Sequence, residues 1–252
     1  MLMKQMMKSL ALAAVLMSVQ AIAAPVQSWT TAQGTRVYFI ETHALPIVDV
    51  QISFLAGSAF DPPNKVGLAS MTASLLDQGA GTRNEKEVAE TLADIGAQMT
   101  AGAGMDSASI TLRTLSDPER RATAAAMMTD AISVPHFDAG VFKRDQARSI
   151  AGLKEALTKP QVLSQRAYMS SIYPDHPYGR LATPESVAAI SRADLEQFWR
   201  QHYSAERASI ALVGDLTRAE AEALAVQLTA SLPADQRDVP RTLPKPSTTS
   251  AK

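Results

Sequence analysis

Short stretches with a period of two along the chain predict β-strands. Residues 36–41 are rich in β-branched and aromatic side chains, which favours a first strand. In residues 48–54 apolar side chains alternate with polar ones, so a second strand should bury one face and leave the other accessible to water. Similar patterns predict three more strands, over residues 98–101, 107–112 and 208–213.

A period of 3.6 follows the second predicted strand and indicates an amphipathic helix over residues 67–79. The apolar residues at i, i+3, i+7 and i+8 are Leu68, Met71, Leu75 and Leu76. The opposite face carries the small or acidic residues Ser70, Ala73, Ser74 and Asp77. Because that face contains no His, Glu or Cys, it lacks the usual ligands of a zinc site carried on a helix.

Six further helices are predicted from apolar periodicity and from residues that favour helix starts. They cover about residues 84–95, 117–133, 139–158, 162–171, 191–202 and 217–230. Asp117 and Asp138 are predicted N-caps, and capping boxes begin at Ser191 and Thr217. The order β-β-α-α-β-β-α-α-α-α-β-α predicts an α+β fold in which helices pack on an antiparallel β-sheet.

The two ends of the chain differ in composition from its centre. Lys4 and Lys8 precede an apolar run and an A-x-A pattern, so residues 1–23 are predicted to be a secretory signal peptide. An uncleaved anchor is the alternative. We expect export, to the periplasm in a Gram-negative cell, with no membrane span after cleavage. Residues 233–252 are rich in Pro, Ser and Thr and are predicted to be a linker or tail, which leaves residues 24–232 as the domain.

Composition excludes several classes of function. The 252 residues carry a formal net charge of −1 and no basic run with interleaved aromatic residues, so nucleic-acid binding is not predicted. Cysteine is absent, which removes disulfides, thiol catalysis and thiolate zinc sites. The four histidines are His43, His136, His176 and His202. None is three or four residues from another, so a local bis-His metal site is not predicted and we expect no cofactor.

The sequence around the central helix resembles the M16 peptidases, the pitrilysin and insulinase type. Active members read roughly G-x-A-H-x-x-E-H-M-L-x-x-G-T, in which two His bind zinc and the Glu is the catalytic base. The residues that keep this frame are Gly67, Ala69, Leu76 and Gly79. At the two ligand positions the chain has Ser70 and Ser74, and at the position of the base it has Ala73.

The resemblance also covers later parts of the chain. Residues 177–203 and 210–215 are similar to the family's P-Y-G and V-V-G-D regions. Active members take a third zinc ligand, a Glu, from a second helix, and the matching position is Gly152. All three ligands and the base are therefore missing at the positions that the resemblance identifies, which implies that no metal is bound there.

In the exported two-subunit branch of that family, one chain binds zinc and the other does not. The resemblance implies that this chain is the N-terminal half of the second kind, a non-catalytic partner of a zinc-bearing M16 subunit that acts on peptides or unfolded proteins. The metal-free subunit supplies a substrate-binding Arg and Tyr from its second half, and no residue here can be assigned that role. Two alternatives stay open: a free-standing peptide-binding or scaffold domain and, less favoured, an autonomous metalloendopeptidase.

Overall fold

A six-stranded mixed β-sheet forms the centre of the protein. The computed structural model describes residues 25–235, 239–240 and 242–246, so the predicted signal peptide lies outside the described residues. In chain order the strands are β1 (Gln27–Thr30), β2 (Arg36–Glu41), β3 (Ile47–Phe54), β4 (Gly79–Ala80), β5 (Arg83–Asn84), β6 (Gln98–Ala103), β7 (Ala108–Leu115) and β8 (Ala208–Gly214). The spatial order of the large sheet is β1-β2-β8-β3-β7-β6, and β4 and β5 form a separate two-stranded hairpin.

The last strand is inserted between two of the earliest strands. β8 pairs parallel with β2 and antiparallel with β3, and the other pairs of the large sheet are antiparallel. The predicted α+β fold, an antiparallel sheet with helices packed on it, is confirmed, and the parallel pair is a refinement. Its register places Arg36 opposite Ser209, which no local pattern specifies because the two residues are far apart in the chain.

Eight α-helices accompany the sheet in the described part of the chain. They are α1 (Leu68–Ser74), α2 (Glu85–Asp94), α3 (Pro118–Ser133), α4 (Ala139–Ala156), α5 (Pro160–Ile172), α6 (Pro184–Ala188), α7 (Arg192–His202) and α8 (Arg218–Thr229). The predicted caps are present: Asp117 and Asp138 accept backbone N–H groups, and capping boxes begin at Ser191 and Thr217. No helix among the described residues has both the length and the apolar character needed to cross a membrane.

One face of the sheet forms the core. Along β3 the side chains of Val48, Val50, Ile52 and Phe54 are buried, and the same alternation holds in β7 and β8. On the opposite face Gln51, Arg113 and Val213 keep contact with water. This distribution follows from the period of two, because successive side chains of a strand point to opposite faces.

Several local features differ from the prediction, among them the hairpin strands β4 and β5, which were not predicted. Strand β1 and helix α6 were not predicted, although the reciprocal capping box of Thr183 and Ser186 marks the start of α6. Helix α1 ends at Ser74 rather than near residue 79. Its last turn tightens, since the Leu75 and Leu76 amides donate to carbonyls three residues back, and Gly79 turns into β4 with φ of 119°. Both leucines are buried, so the apolar stripe continues beyond the C-terminal end of the helix.

The described residues of the segment predicted as a linker or tail are held against the domain. The Arg207 and Asp235 side chains are 0% and 3% exposed and form an ion pair of 2.8 Å between Nε and Oδ1. The Arg207 guanidinium also donates to the carbonyls of Val239 and Pro240, at 2.6 and 3.1 Å. The buried His176 ring contacts the Pro244 carbonyl at 2.8 Å through Nε2. A linker role for residues 233–252 stays a prediction, but its described part is anchored.

Tyr203 provides a first test of the core. Its side chain is fully buried, and no described residue lies within hydrogen-bond distance of its hydroxyl. Burial of the uncompensated hydroxyl raises the pKa of Tyr203. We expect Tyr203→Phe to raise the free energy of unfolding by about 1 kcal/mol, because it removes a buried polar group without a partner. Urea unfolding measures this, and a loss of 1 kcal/mol would show that the hydroxyl has a stabilising partner.

Candidate functional site

Helix α1 is held at its N-terminus by a buried carboxylate. The Asp61 side chain accepts hydrogen bonds from the amides of Gly67 and Ala69, both at 2.8 Å, and Asp61 is 3% exposed. These amides belong to the first turn of the helix, where backbone N–H groups have no partner within the helix. Gly67 has φ of 112°, a left-handed conformation that favours glycine. Asp61 therefore sets the entry of the chain into the motif helix.

Burial governs the ionisation of Asp61. It raises the pKa of this carboxyl to about 6, although the hydrogen bonds from the amides of Gly67 and Ala69 act in the opposite direction. Burial also lowers the pKa of His202 to about 4. The two groups have opposite effects on stability between about pH 6 and pH 4. Folded Asp61 binds more protons than in the unfolded chain, whereas folded His202 binds fewer.

A pH series can separate these two effects. As the pH falls from 6 to 4, Asp61 raises the free energy of unfolding and His202 lowers it. Each effect reaches about 3 kcal/mol once the pH has passed both the folded and the unfolded pKa of the group. We expect Asp61→Asn to remove the compensating effect, so that the variant loses about 2 kcal/mol more than the parent chain over this interval. Urea midpoints at pH 6, 5 and 4 measure the difference. Equal losses in both proteins would contradict the raised pKa of Asp61.

The three motif positions on α1 do not share one open face. Ser70 and Ser74 are exposed, whereas Ala73, at the position of the catalytic base, is 0% exposed. The Ser74 hydroxyl donates to the Met71 carbonyl of its own helix at 3.1 Å. The apolar stripe that contains Met71 is buried, as predicted. The face thus offers two small hydroxyls and a buried methyl group.

The fourth motif position, Gly152, lies in the C-terminal half of α4. It is exposed, and a Cβ atom built there would meet no described atom within 4 Å. Asp145, two turns earlier in the same helix, pairs with Arg144 and Arg148. Burial raises the pKa of Asp77, in the turn after α1.

These residues do not fit a zinc ion. Zinc sites in proteins use thiolate, imidazole and carboxylate donors, normally three from the protein when a water molecule completes the site. Ser70 and Ser74 supply neutral hydroxyls, and Ala73 and Gly152 supply no donor. In the described ranges, no group of three His, Cys, Asp or Glu side chains is arranged to hold a metal ion.

A different polar cluster lies where β2 and β8 end, and the sequence analysis missed it. His43 contacts Asp215 through Nδ1 at 2.6 Å and Glu41 through Nε2 at 3.1 Å, and Ser116 donates to Asp215 at 2.5 Å. The hydrogen bonds to Asp215 and then Glu41 raise the pKa of His43. The two carboxylates use different ring nitrogens, so the imidazole bridges them. The parallel pairing of β2 with β8 brings these residues together.

The mixed sheet and the helices packed on it define a class of protein, the α+β half-domain of M16-type peptidases. The chain belongs to the M16 peptidase family. The family profile described as insulinase (peptidase family M16) matches residues 36–184, and the profile described as peptidase M16 inactive domain matches residues 189–252.

Two curated relatives illustrate the range of the family. An uncharacterized zinc protease of Rickettsia bellii is 25% identical over 198 residues, which cover 77% of this chain and 48% of the relative. The non-peptidase homolog YmxG of Helicobacter pylori is 24% identical over 204 residues, which cover 80% of this chain and 46% of the relative. The chain thus spans about half the length of the curated relatives it matches.

Solved structures agree with this assignment. A peptidase M16 inactive domain from Pseudomonas fluorescens superimposes with a TM-score of 0.84 at 32% identity, over 88% of this chain and 54% of that chain. The periplasmic protease PqqL of Escherichia coli gives a TM-score of 0.77 at 18% identity, over 88% of this chain and 26% of that chain. The second likeness shows the fold alone.

Proposed function

We propose that this chain is a non-catalytic M16 protein that acts with a zinc-bearing M16 subunit and contributes a wall of the peptide-binding chamber. The observation that carries the proposal is the motif face of α1, where Ser70, Ala73 and Ser74 supply neither zinc ligands nor a base. Hydrolysis by this family needs a metal-bound water and a group that takes its proton. The names of two similar proteins, a non-peptidase homolog and an inactive domain, support the same interpretation.

The edge of the sheet supports a role in peptide binding. β6 is an edge strand of the six-stranded sheet, and its residues Gln98–Ala103 include no proline and no charged side chain. Natural proteins usually protect such edges with charged residues or proline. An unprotected edge can accept an extended peptide as an additional strand. The chain would then hold the substrate while the zinc-bearing subunit cuts it.

Export to the periplasm of a Gram-negative cell completes the proposal. It rests on the charged, apolar and A-x-A pattern of residues 1–23. Expression of the full chain, followed by N-terminal sequencing of the periplasmic protein, tests this point. We expect the mature chain to begin at Ala24. A full-length protein retained at the membrane would indicate the uncleaved anchor instead.

Coexpression tests the partnership. The full chain is produced with an M16 protein from the same genome that carries the intact H-x-x-E-H motif. We expect copurification and faster peptide cleavage than by the zinc-bearing subunit alone. A partner variant with Gln in place of its catalytic Glu is the control, since it should copurify without cleavage. Failure to copurify, together with an unchanged cleavage rate, would overturn the partnership.

Measurements on the chain without its partner separate the alternatives. A free-standing peptide-binding domain would bind extended peptides without the partner, and the unprotected β6 edge favours this second candidate. Peptides that are N-methylated at alternate residues should then bind much more weakly, because they cannot form the added ladder. An autonomous metallopeptidase would cleave peptides alone, lose activity with a chelator and retain one equivalent of zinc in elemental analysis.

A further inference from the structure

A cavity of about 200 Å³ lies between the loop that follows Phe60 and helix α7, and none of the four motif positions lines it. The His202 side chain, at the last residue of α7, forms part of its wall together with Phe60 and Phe198. The ring centroids of Phe198 and Phe60 lie 4.3 and 5.2 Å from that of His202. Phe198 and His202 are only 3% and 4% exposed. The cavity is therefore a partly polar pocket with an imidazole beside aromatic rings, and its lining also includes Asn64, Gln197 and Gln201.

His202 presents an unused hydrogen-bond acceptor. It is 4% exposed, and its Nδ1 lies 3.0 Å from the Leu55 carbonyl. A carbonyl can only accept, so Nδ1 carries the proton and Nε2 of the neutral ring has a free lone pair. No described residue donates to Nε2. His202 forms part of the cavity lining, so a ligand in the cavity lies beside the imidazole ring.

The imidazole stays neutral under ordinary conditions. Burial lowers the pKa of His202 to about 4, and the positive charge of Arg207 acts in the same direction. Near the cavity the Lys65 ammonium and the Asp194 carboxylate pair with each other at 2.6 Å. The cavity thus offers a neutral acceptor and no unpaired charge among these lining groups. An anion would face a lone pair, and a cation would face Lys65.

We propose that this cavity binds a phenol group, with the phenolic hydroxyl donating to Nε2 of His202 and the ring packing against Phe60 and Phe198. A phenolic hydroxyl is a better donor than an aliphatic one, and its flat ring matches aromatic walls. The volume of about 200 Å³ is sufficient for a single aromatic ring. The phenol can belong to a free small molecule or to the tyrosine side chain of a peptide. The inference does not depend on the proposed partnership.

Titration of the full chain with p-cresol, toluene and cyclohexanol tests whether the phenolic hydroxyl contributes to binding. The His202 ring C–H signal in a two-dimensional NMR spectrum reports the location, and the other three histidines serve as internal controls. We expect a saturable shift of the His202 signal with p-cresol and about tenfold weaker binding of toluene, which cannot donate to Nε2. Absence of a saturable shift with p-cresol, equal affinity for toluene, or equal affinity for cyclohexanol would overturn the proposal.

Two further ligands distinguish the sources of the phenol. N-acetyltyrosinamide and a five-residue peptide with a central tyrosine are titrated in the same way. Binding at least as tight as that of p-cresol supports a tyrosine side chain, and binding of p-cresol alone supports a free small phenol. Both outcomes require the same hydroxyl–His202 contact.

Variants test the residues by ligand-detected NMR. His202→Phe keeps an aromatic ring but removes the acceptor, so p-cresol and toluene should bind with affinities within twofold of each other. Phe60→Leu should weaken both ligands, because it removes one aromatic wall. His43→Gln, at an exposed histidine that does not line the cavity, is the control and should change neither. If His202→Phe still binds p-cresol tenfold more tightly than toluene, the assignment of Nε2 is wrong. The comparison of the two ligands on the parent chain tests the proposal even if a variant fails to fold.

Discussion

Asp235→Ala is expected to lower the free energy of unfolding by about 1.5–3 kcal/mol. The substitution leaves the Arg207 guanidinium, 0% exposed, without the carboxylate that lies 2.8 Å from its Nε. It also removes the acceptor of the Ser204 hydroxyl, which donates to the same carboxylate oxygen at 3.1 Å. The guanidinium keeps its hydrogen bonds to the carbonyls of Val239 and Pro240, so the expected loss is that of the charge-assisted hydrogen bonds to Asp235.

The matched control is an ion pair at the surface. Lys159 and Glu155 form an i,i+4 pair of 2.9 Å, and their side chains are 59% and 73% exposed. Exposed pairs of this kind contribute about 0.3–0.5 kcal/mol, so Lys159→Ala should have little effect. Together with Arg207→Met alone, the double variant Arg207→Met/Asp235→Ala completes a double-mutant cycle that measures the coupling energy between these two side chains.

Urea unfolding of the parent chain and these variants measures these differences. A loss below 1 kcal/mol in Asp235→Ala would mean that the segment after residue 232 is not seated on the domain in solution. The expected result would instead show that this segment, predicted from composition as a linker or tail, contributes to the stability of the domain.

Ala73→Glu is expected to lower the free energy of unfolding by about 3–5 kcal/mol. This substitution restores the residue type of the catalytic base at its family position. In this protein Ala73 is 0% exposed, so the longer side chain must displace packed neighbours, and its carboxylate must lose water. The expected loss would show that the packing around Ala73 excludes a carboxylate at the position that the resemblance assigns to the base.

Ser70→Glu is the matched control for this variant. It introduces the same side chain into the same helix, but at an exposed position in the first turn. An acid there interacts favourably with the helix dipole, so the free energy of unfolding should change by less than about 0.5 kcal/mol. Equal stability of Ala73→Glu and the parent chain in urea would show that the base position is accessible. It would also show that packed neighbours do not enclose the side chain of residue 73.

Local patterns in the sequence were sufficient for much of the fold. The stripe formed by Leu68, Met71, Leu75 and Leu76 predicted the buried side of α1, and the capping boxes at Ser191 and Thr217 predicted where α7 and α8 begin. Such signals depend on residues within one or two turns of each other, so they can be read without the tertiary structure. The motif frame likewise identified the M16 family, whereas the assignment of Ser70, Ala73, Ser74 and Gly152 to the positions of the zinc ligands and the base stays a prediction.

Contacts between distant parts of the chain were decided by the tertiary structure alone. The insertion of β8 between β2 and β3 brings His43 next to Asp215, and the course of the last residues places Asp235 on Arg207. The burial of Ala73 and the free acceptor of His202 also depend on packing against elements remote in sequence. Periodicity predicts which side of a helix or strand faces inward. Periodicity cannot predict which other element that side packs against, because this contact depends on the packing of the whole chain.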